Sequence, residues 1–304
     1  MPAALVIFLI FIAVLGVATI AIRILRSPIQ SGRRLLHWLI LLRGGKEDYL
    51  EIPFGHVHYY EMNPRMDSRK TVVFLTGLNG TGVDWHEMLA AASRRGWRTF
   101  SPELAGQGRT RLKDRSRLYS MPLQVELLRD FLDARQLDQI TLVGISLGGW
   151  IASLFAISYP ERLRHLVLVS SAGLWDKLSP RDVQPRNREE ARLFLNRILA
   201  RDPWFPGFIL DEFVRRLNST AVRRVIRAIT EEDFLDARLH RIHLPVDLIW
   251  GAQDELIGTD QAHQFKNAIP HARLHLIPRC GHIPMVERPL ALRRLMMDIL
   301  ESRQ

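Results

Sequence analysis

The chain has a single cysteine, Cys280, so an internal disulfide framework and any Cys-based zinc site are excluded. Lysine is scarce too: Lys46, Lys70, Lys113, Lys177 and Lys266 are the only ones, and the net charge of +10 comes from arginines scattered along the whole length. No basic run carries the interleaved aromatics of a nucleic-acid groove, which sets nucleic acid aside as a partner. Part of the positive excess suits an anionic membrane surface instead. Internal repeats and low-complexity tracts are absent. With 47% hydrophobic and 24% charged residues over 304 positions, the chain can bury a large core.

Charge is missing altogether from Met1 to Ile22, and between Ala3 and Ile22 only Gly16 and Thr19 interrupt the apolar run. At 1.5 Å per residue such a run covers roughly 30 Å, the hydrocarbon thickness of a bilayer. A cleaved signal peptide is the competing reading. It wants a basic residue before the apolar core and a small-x-small site after it. The first basic residue is Arg23, and Ala18-Thr19-Ile20-Ala21 is a poor site. Residues 1–24 therefore read as an uncleaved transmembrane anchor. Arg23, Arg26, Arg33 and Arg34 follow it, and the positive-inside rule then places the bulk of the chain on the cytoplasmic side. Within residues 25–46, the stretch from Leu35 to Leu42 is apolar but too short to span. Flanked by arginines and containing Trp38, it reads as a helix lying in the membrane interface. A helix packed on the globular domain is the alternative, and Gly44-Gly45 is the linker.

Two strand-like runs between Tyr49 and Met62 meet near Gly55 as a hairpin. Thr71 to Leu75 is a buried strand, followed by the glycine-rich loop Thr76-Gly77-Leu78-Asn79-Gly80. Asp84 is the expected N-cap of a helix from Trp85 to Arg95. A strand over Arg98–Leu104, a helix over Met121–Arg135, a strand over Ile140–Val143 and a helix from Trp150 to Tyr159 come next. Strands are also expected at His165–Ser170, Val246–Trp250 and Arg273–Ile277, with a closing helix near Leu290–Leu300. This alternation predicts a mostly parallel, doubly wound α/β sheet over residues 47–173 and 240–304. The rhythm breaks at residues 174–239, which read as a helical cap over the carboxyl ends of the strands, where open sheets of this kind bind ligands.

One turn organises the rest. Ile140-Thr141-Leu142-Val143 runs into Gly144-Ile145-Ser146-Leu147-Gly148, a Gly-x-Ser-x-Gly turn between strand and helix that would expose Ser146 as a nucleophile. Alone the pattern is weak, with on the order of 0.1 chance matches in such a chain. A nucleophile also needs a base, an orienting acid and an oxyanion site. Asp254 follows the next-to-last strand and His282 follows the last, giving the order Ser, Asp, His at carboxyl ends of strands. Glu255 and Asp260 are rivals for the acid. The backbone N–H groups of Leu78 and Leu147 are the expected oxyanion donors.

Gly144 to Gly149, Trp250-Gly251-Ala252-Gln253-Asp254 and Gly281-His282 resemble the three catalytic segments of the alpha/beta-hydrolase family. Leu75-Thr76-Gly77-Leu78 resembles its oxyanion loop, and Pro102 to Thr110 its segment after the fourth strand. The resemblance runs from about residue 49 to 302. It implies an acyl-enzyme mechanism on an acyl ester, with no cofactor and no metal. The apolar N-terminus together with Gly281-His282-Ile283-Pro284-Met285-Val286-Glu287-Arg288-Pro289 is similar to membrane-anchored monoacylglycerol lipases. Two residues depart from the family pattern: Thr76 replaces a histidine before the loop glycine, and Gln107 replaces the one between Gly106 and Gly108. The same triad also serves carbon–carbon bond hydrolases, and a non-catalytic membrane protein of this fold is the third reading. A serine at the turn argues against epoxide hydrolases and haloalkane dehalogenases, which place aspartate there.

Other residues have plainer readings. Trp175, Trp204, Phe205 and Phe208 could line an acyl pocket or pack the cap helices together. His56 and His58, two apart on a strand, read as a surface pair, since no third ligand accompanies them. Cys280 reads as structural. No residue here selects acyl chain length, headgroup or oligomeric state.

Overall fold

The computed structural model describes residues 25–63, 70–114, 116–175 and 183–302. The apolar run assigned to a membrane anchor lies outside them. Among the described residues, no helix is long and apolar enough to cross a membrane.

Nine strands form one mixed sheet. β1 (Lys46–Ile52) and β2 (Gly55–Met62) pair as the expected antiparallel hairpin, with Ile52 opposite Gly55. β2 then pairs antiparallel with β4 (Arg98–Pro102) and with the two-residue β5 (Arg111–Leu112). From β4 onward the order is β3 (Thr71–Leu75), β6 (Ile140–Ile145), β7 (Leu163–Val169), β8 (Val246–Gly251) and β9 (Arg273–Ile277), and every neighbour is parallel.

β3 and β6 carry no polar residue but one threonine each because helices cover both faces. Val73, Leu75 and Leu142 face the layer that contains α3 (Met121–Ala134), α4 (Leu147–Ser158) and α8 (Thr259–Ala268). Their alternate neighbours Val72, Phe74 and Val143 face the layer of α1 (Pro28–Leu42), α2 (His86–Ser93) and α10 (Pro289–Ser302), the last preceded by the single turn α9 (Pro284–Glu287). Each such side chain contributes about 1.5–3 kcal/mol of burial, so a polar group anywhere on these strands would be felt.

The helix α2 corrects one expected detail. Asp84 is not its N-cap. A 3-10 turn, Gly82–Trp85, precedes α2, and Thr81 caps that turn with Asp84 as the reciprocal partner of a capping box. The Thr81 N–H donates to Asp84 Oδ2 at 2.9 Å.

α1 packs one side against the domain. Ile40 is buried and Leu36 packs beside it on the α2–α10 layer, so the helix is docked on the domain. Leu35, Trp38 and Leu42, spaced along the outer side, remain exposed. Between β7 and β8 no strand occurs among the described residues; α5 (Arg188–Ile198), α6 (Gly207–Leu217) and α7 (Thr220–Ile226) occupy this stretch.

Candidate active site

β6 ends at Ile145 and α4 begins at Leu147, so Ser146 alone makes the turn. Its backbone sits at φ 54°, ψ −122°, a conformation that L-residues rarely adopt. Backbone contacts hold it there: the Ser146 N–H donates to Val169 O at 3.0 Å, and its carbonyl accepts from Trp150 and Ala172, each at 3.1 Å. A Cβ at Gly148 would lie 2.6 Å from Thr76 O, so only glycine lets α4 approach the loop after β3. That loop in turn reaches the serine. A Cβ on Gly77 would be 3.1 Å from Ser146 Cβ and 3.7 Å from its Oγ.

Leu147 is the first residue of α4, where a helix leaves its N–H groups without intrahelical acceptors. Leu78 lies in the tight turn that the Gly80 N–H closes on Gly77 O at 2.9 Å. Among the described residues, neither the Leu78 nor the Leu147 N–H has an acceptor. Both donors flank the serine on elements that touch each other.

Asp254 follows β8 and His282 follows β9, so the sheet carries them to the same edge as Ser146. His282 Nδ1 bonds Asp254 Oδ2 at 2.8 Å, with both residues only 5% exposed. The other carboxylate oxygen of Asp254 accepts from the N–H groups of Leu256 (3.0 Å) and Ile257 (2.9 Å). The carboxylate is thus fixed, and the imidazole keeps Nε2 for another partner. Glu255 and Asp260, the rivals for the acid, are exposed.

Several positioning contacts had no signal in the residue pattern. Gln107, one of the two departures from the family pattern, is 5% exposed. Its Nε2 donates to Thr76 O at 3.0 Å and to Gly77 O at 3.4 Å, while its Oε1 accepts from the Leu104 N–H at 3.0 Å. A glutamine therefore ties the loop after β4 to the loop beside the serine. Gln253 pairs with the strand end before His282, its N–H donating to Cys280 O at 2.8 Å and its Oε1 accepting from the Cys280 N–H at 3.0 Å. Glu287 accepts from Gly281 and from Ala200 beyond α5, each at 2.8 Å. The His282 N–H donates to Ile198 O at 2.8 Å. The histidine loop and the cap are thereby fastened together.

The surface-pair reading of His56 and His58 is half wrong. His56 is exposed, but His58 is fully buried on β2, which lies inside the sheet rather than at its edge. Its ring bonds Glu103 Oε2 at 2.8 Å and Glu47 Oε2 at 3.1 Å. Burial alone would raise the Glu103 carboxyl, yet the His58 contact and the N–H groups of Arg109 and Gly82 hold it below its ordinary value. Cys280 is buried, and burial pushes its thiol up to about 12, so it stays protonated and unreactive.

The aromatic residues divide. Trp204 and Phe205 line a hollow of about 480 Å³ between α5 and α6, together with Arg192, Leu193 and Leu210. Ser146 and His282 are not among its walls. Phe208 is partly exposed, and Trp175 stacks edge-on against Phe234 with ring centres 4.9 Å apart.

A family model described as "Alpha/beta hydrolase family" matches residues 72–295, which takes in the serine turn, Asp254 and His282. The chain belongs to the alpha/beta hydrolase family. Within it, an uncharacterised protein of Mycobacterium tuberculosis is 26% identical over 82% of this chain and 80% of its own length. Lipase 3 of a Moraxella species is 27% identical over 63% of this chain and 65% of the lipase. Among solved structures, a bacterial membrane phospholipase A superposes with a TM-score of 0.78 at 20% identity, covering 98% of each chain. The distant homologues of this alpha/beta hydrolase include lipases, esterases and meta-cleavage carbon–carbon hydrolases.

Proposed function

We propose that this alpha/beta hydrolase is a membrane-anchored serine esterase of the lipase type, acting on acyl esters that partition into the bilayer, with monoacylglycerols as the substrate class. The observation that carries the reading is the Ser146 turn, held at positive φ between two N–H donors that have no acceptor among the described residues, with the Asp254–His282 pair delivered to the same sheet edge.

In this account Ser146 Oγ attacks the ester carbonyl carbon and His282 Nε2 takes the hydroxyl proton. Asp254 holds the imidazole in the required tautomer and stabilises its charged form. The carbonyl oxygen, now an anion, accepts from the Leu78 and Leu147 N–H groups. Collapse of this intermediate breaks the carbon–oxygen bond, and His282 returns the proton to the departing alcohol. Water, deprotonated by the same histidine, then releases the acid from the acyl-serine.

Three observations support the membrane part. The uncharged run from Met1 to Ile22 stands five residues before α1 in the sequence, and the outward residues Leu35, Trp38 and Leu42 of that helix are exposed. The arginines after that run favour a cytoplasmic catalytic domain. A tether also keeps the site where lipid esters concentrate. Carbonate extraction of membranes tests the anchor; release of the full-length chain into the soluble fraction contradicts it.

A fluorophosphonate probe tests the chemistry. Labelling of the wild type and none of Ser146→Ala is expected, and equal labelling of both overturns the assignment. The meta-cleavage hydrolases among the homologues favour a second reading, hydrolysis of a carbon–carbon bond by the same residues. A panel of monoacylglycerols, p-nitrophenyl esters and vinylogous diketones separates the two by the ratio of kcat/KM.

A further inference from the structure

We propose that α1 is part of the catalytic apparatus: Arg33 positions the oxyanion loop, and Glu212 of the cap locks the helix that carries it. The inference rests on the serine-hydrolase reading and adds to it a residue from the membrane-proximal segment.

The Leu78 N–H can serve an oxyanion only if its peptide plane is held still. Leu78 lies between two anchored carbonyls. On its N-terminal side, Gln107 takes Thr76 O and Gly77 O. On its C-terminal side, Arg33 Nη2 donates to Asn79 O at 2.9 Å. Asn79 itself sits at φ 60°, a left-handed conformation that the surrounding contacts must maintain. Without Arg33, the C-terminal half of the turn loses this side-chain tether, which loosens the bond that the Gly80 N–H makes to Gly77 O, the carbonyl of the same peptide as the Leu78 N–H.

Arg33 is well placed to hold its position. Its Nη2 also lies 3.3 Å from Asp84 Oδ2, and their side chains are 16% and 27% exposed, so solvent screens the pair only in part. Asp84 belongs to the capping box that ends the oxyanion loop. One guanidinium therefore grips the loop at its turn and at its exit.

The helix that presents Arg33 is fixed from the opposite side. The first turn of α1 contains no acidic residue, and Ser27 makes no side-chain cap bond. The free N–H groups of Ile29 and Gln30 donate instead to the two carboxylate oxygens of Glu212, at 2.8 and 3.0 Å. Glu212 is a buried residue of α6, and a carboxylate at a helix N-terminus satisfies both the donors and the dipole. Arg216 completes the joint by donating to Gln30 Oε1 at 3.0 Å. If α1 shifts, a buried carboxylate loses two backbone donors and is left facing Arg216 of its own helix at 3.7 Å, which keeps α1 in register. One fifteen-residue helix thus joins the cap to the oxyanion loop.

The test uses the full-length chain in detergent micelles with p-nitrophenyl butyrate, a substrate that does not require a bilayer. Arg33→Met should lower kcat about tenfold while KM stays within about twofold, the pattern of an interaction made in the transition state. A boronic acid, whose tetrahedral adduct places an oxygen in the same hole, should bind more weakly by the same factor. Arg33→Lys, which can still donate to Asn79 O, should recover to within about threefold of the wild type. Arg34→Met removes the same charge from the neighbouring exposed position and should leave both ratios unchanged. Glu212→Gln, which keeps the shape but loses the charge, should lower kcat by about threefold. The proposal is overturned if Arg33→Met keeps kcat and boronate affinity within twofold, if only KM changes, or if Arg34→Met behaves the same way. Should Arg33→Met not fold, Arg33→Gln, too short to reach both acceptors, is read by the same two ratios. A wild type with no Ser146-dependent turnover defeats the serine-hydrolase reading itself, whereas an active wild type with an indifferent Arg33 defeats this inference alone.

Discussion

Two histidine–aspartate pairs hang on strand β8, seven residues apart, with the same 2.8 Å contact. Asp254, beyond the carboxyl end, bonds one histidine and two backbone N–H groups. Asp247, near the amino end, is saturated by side chains. It accepts from His165 at 2.8 Å, His275 at 2.6 Å and both arms of Arg273 at 2.8 Å. Burial alone would raise the Asp247 carboxyl, yet these contacts drive it far below the usual carboxylate range. The contrast shows that a buried His–Asp contact does not by itself make a catalytic pair. Each histidine keeps one nitrogen without a partner among the described residues, but His165 is fully buried near the amino end of β7, whereas His282 lies at the carboxyl ends of the strands, where the Ser146 turn also sits. Asp247 spends its charge on joining three strands.

This comparison can be broken most sharply by substitution. Ser146→Ala, His282→Ala and Asp254→Asn should each lower kcat on p-nitrophenyl butyrate by about 10³-fold or more, measured per folded molecule. Asp247→Asn should do the reverse. Breaking a buried ion pair on one side costs about 3–5 kcal/mol, so chemical denaturation should reveal a large loss of stability while turnover per folded molecule is retained. The acid limb should distinguish them as well. Because the folded Asp247 holds its proton far less readily than the unfolded residue, its stabilisation is complete above about pH 4. It drains as the pH falls below that value, where the unfolded chain binds a proton that the folded chain refuses. In urea titrations between pH 5 and 3, wild-type stability should fall more steeply than that of Asp247→Asn.

Smaller effects sharpen the account of the serine end. Gln107→Leu removes the donor to Thr76 and Gly77 and should reduce kcat about tenfold. Gln107→His, the family's usual residue, should regain most of that activity. Equal losses in the two variants would show that shape, not hydrogen bonding, is what matters at this position. The smallest effect is expected from iodoacetamide. A buried thiol with its pKa pushed up to about 12 should neither react nor alter turnover within an hour at pH 8.

The parts of this architecture that show in the residue pattern are those set by local chemistry. The strands around Val72–Leu75 and Ile140–Ile145 are apolar at nearly every position, Thr141 being the exception, because both of their faces are covered, so they announce themselves. The Ser146 turn is legible because backbones approach so closely that glycine is required on either side. The order of Ser146, Asp254 and His282 follows from strand order. What the pattern hides is long-range hydrogen bonding. Nothing local marks Gln107 as the clamp on Thr76, or Glu212 as the cap of a helix 182 positions earlier. His58 is hidden for the same reason, since its alternation suggests an outward face while Glu103 and Glu47 from other strands and loops enclose it. Asp84 is a subtler case, in which a residue fit to cap a helix serves a cap three residues before it.

The most direct test of the central claim is to locate the adduct. After treatment with a fluorophosphonate, peptide mass spectrometry should place the phosphonyl group on Ser146, with labelling lost in His282→Ala and retained in folded His165→Ala. An adduct on another residue, or loss of labelling with His165 and not with His282, would contradict the division of roles between the two ends of β8.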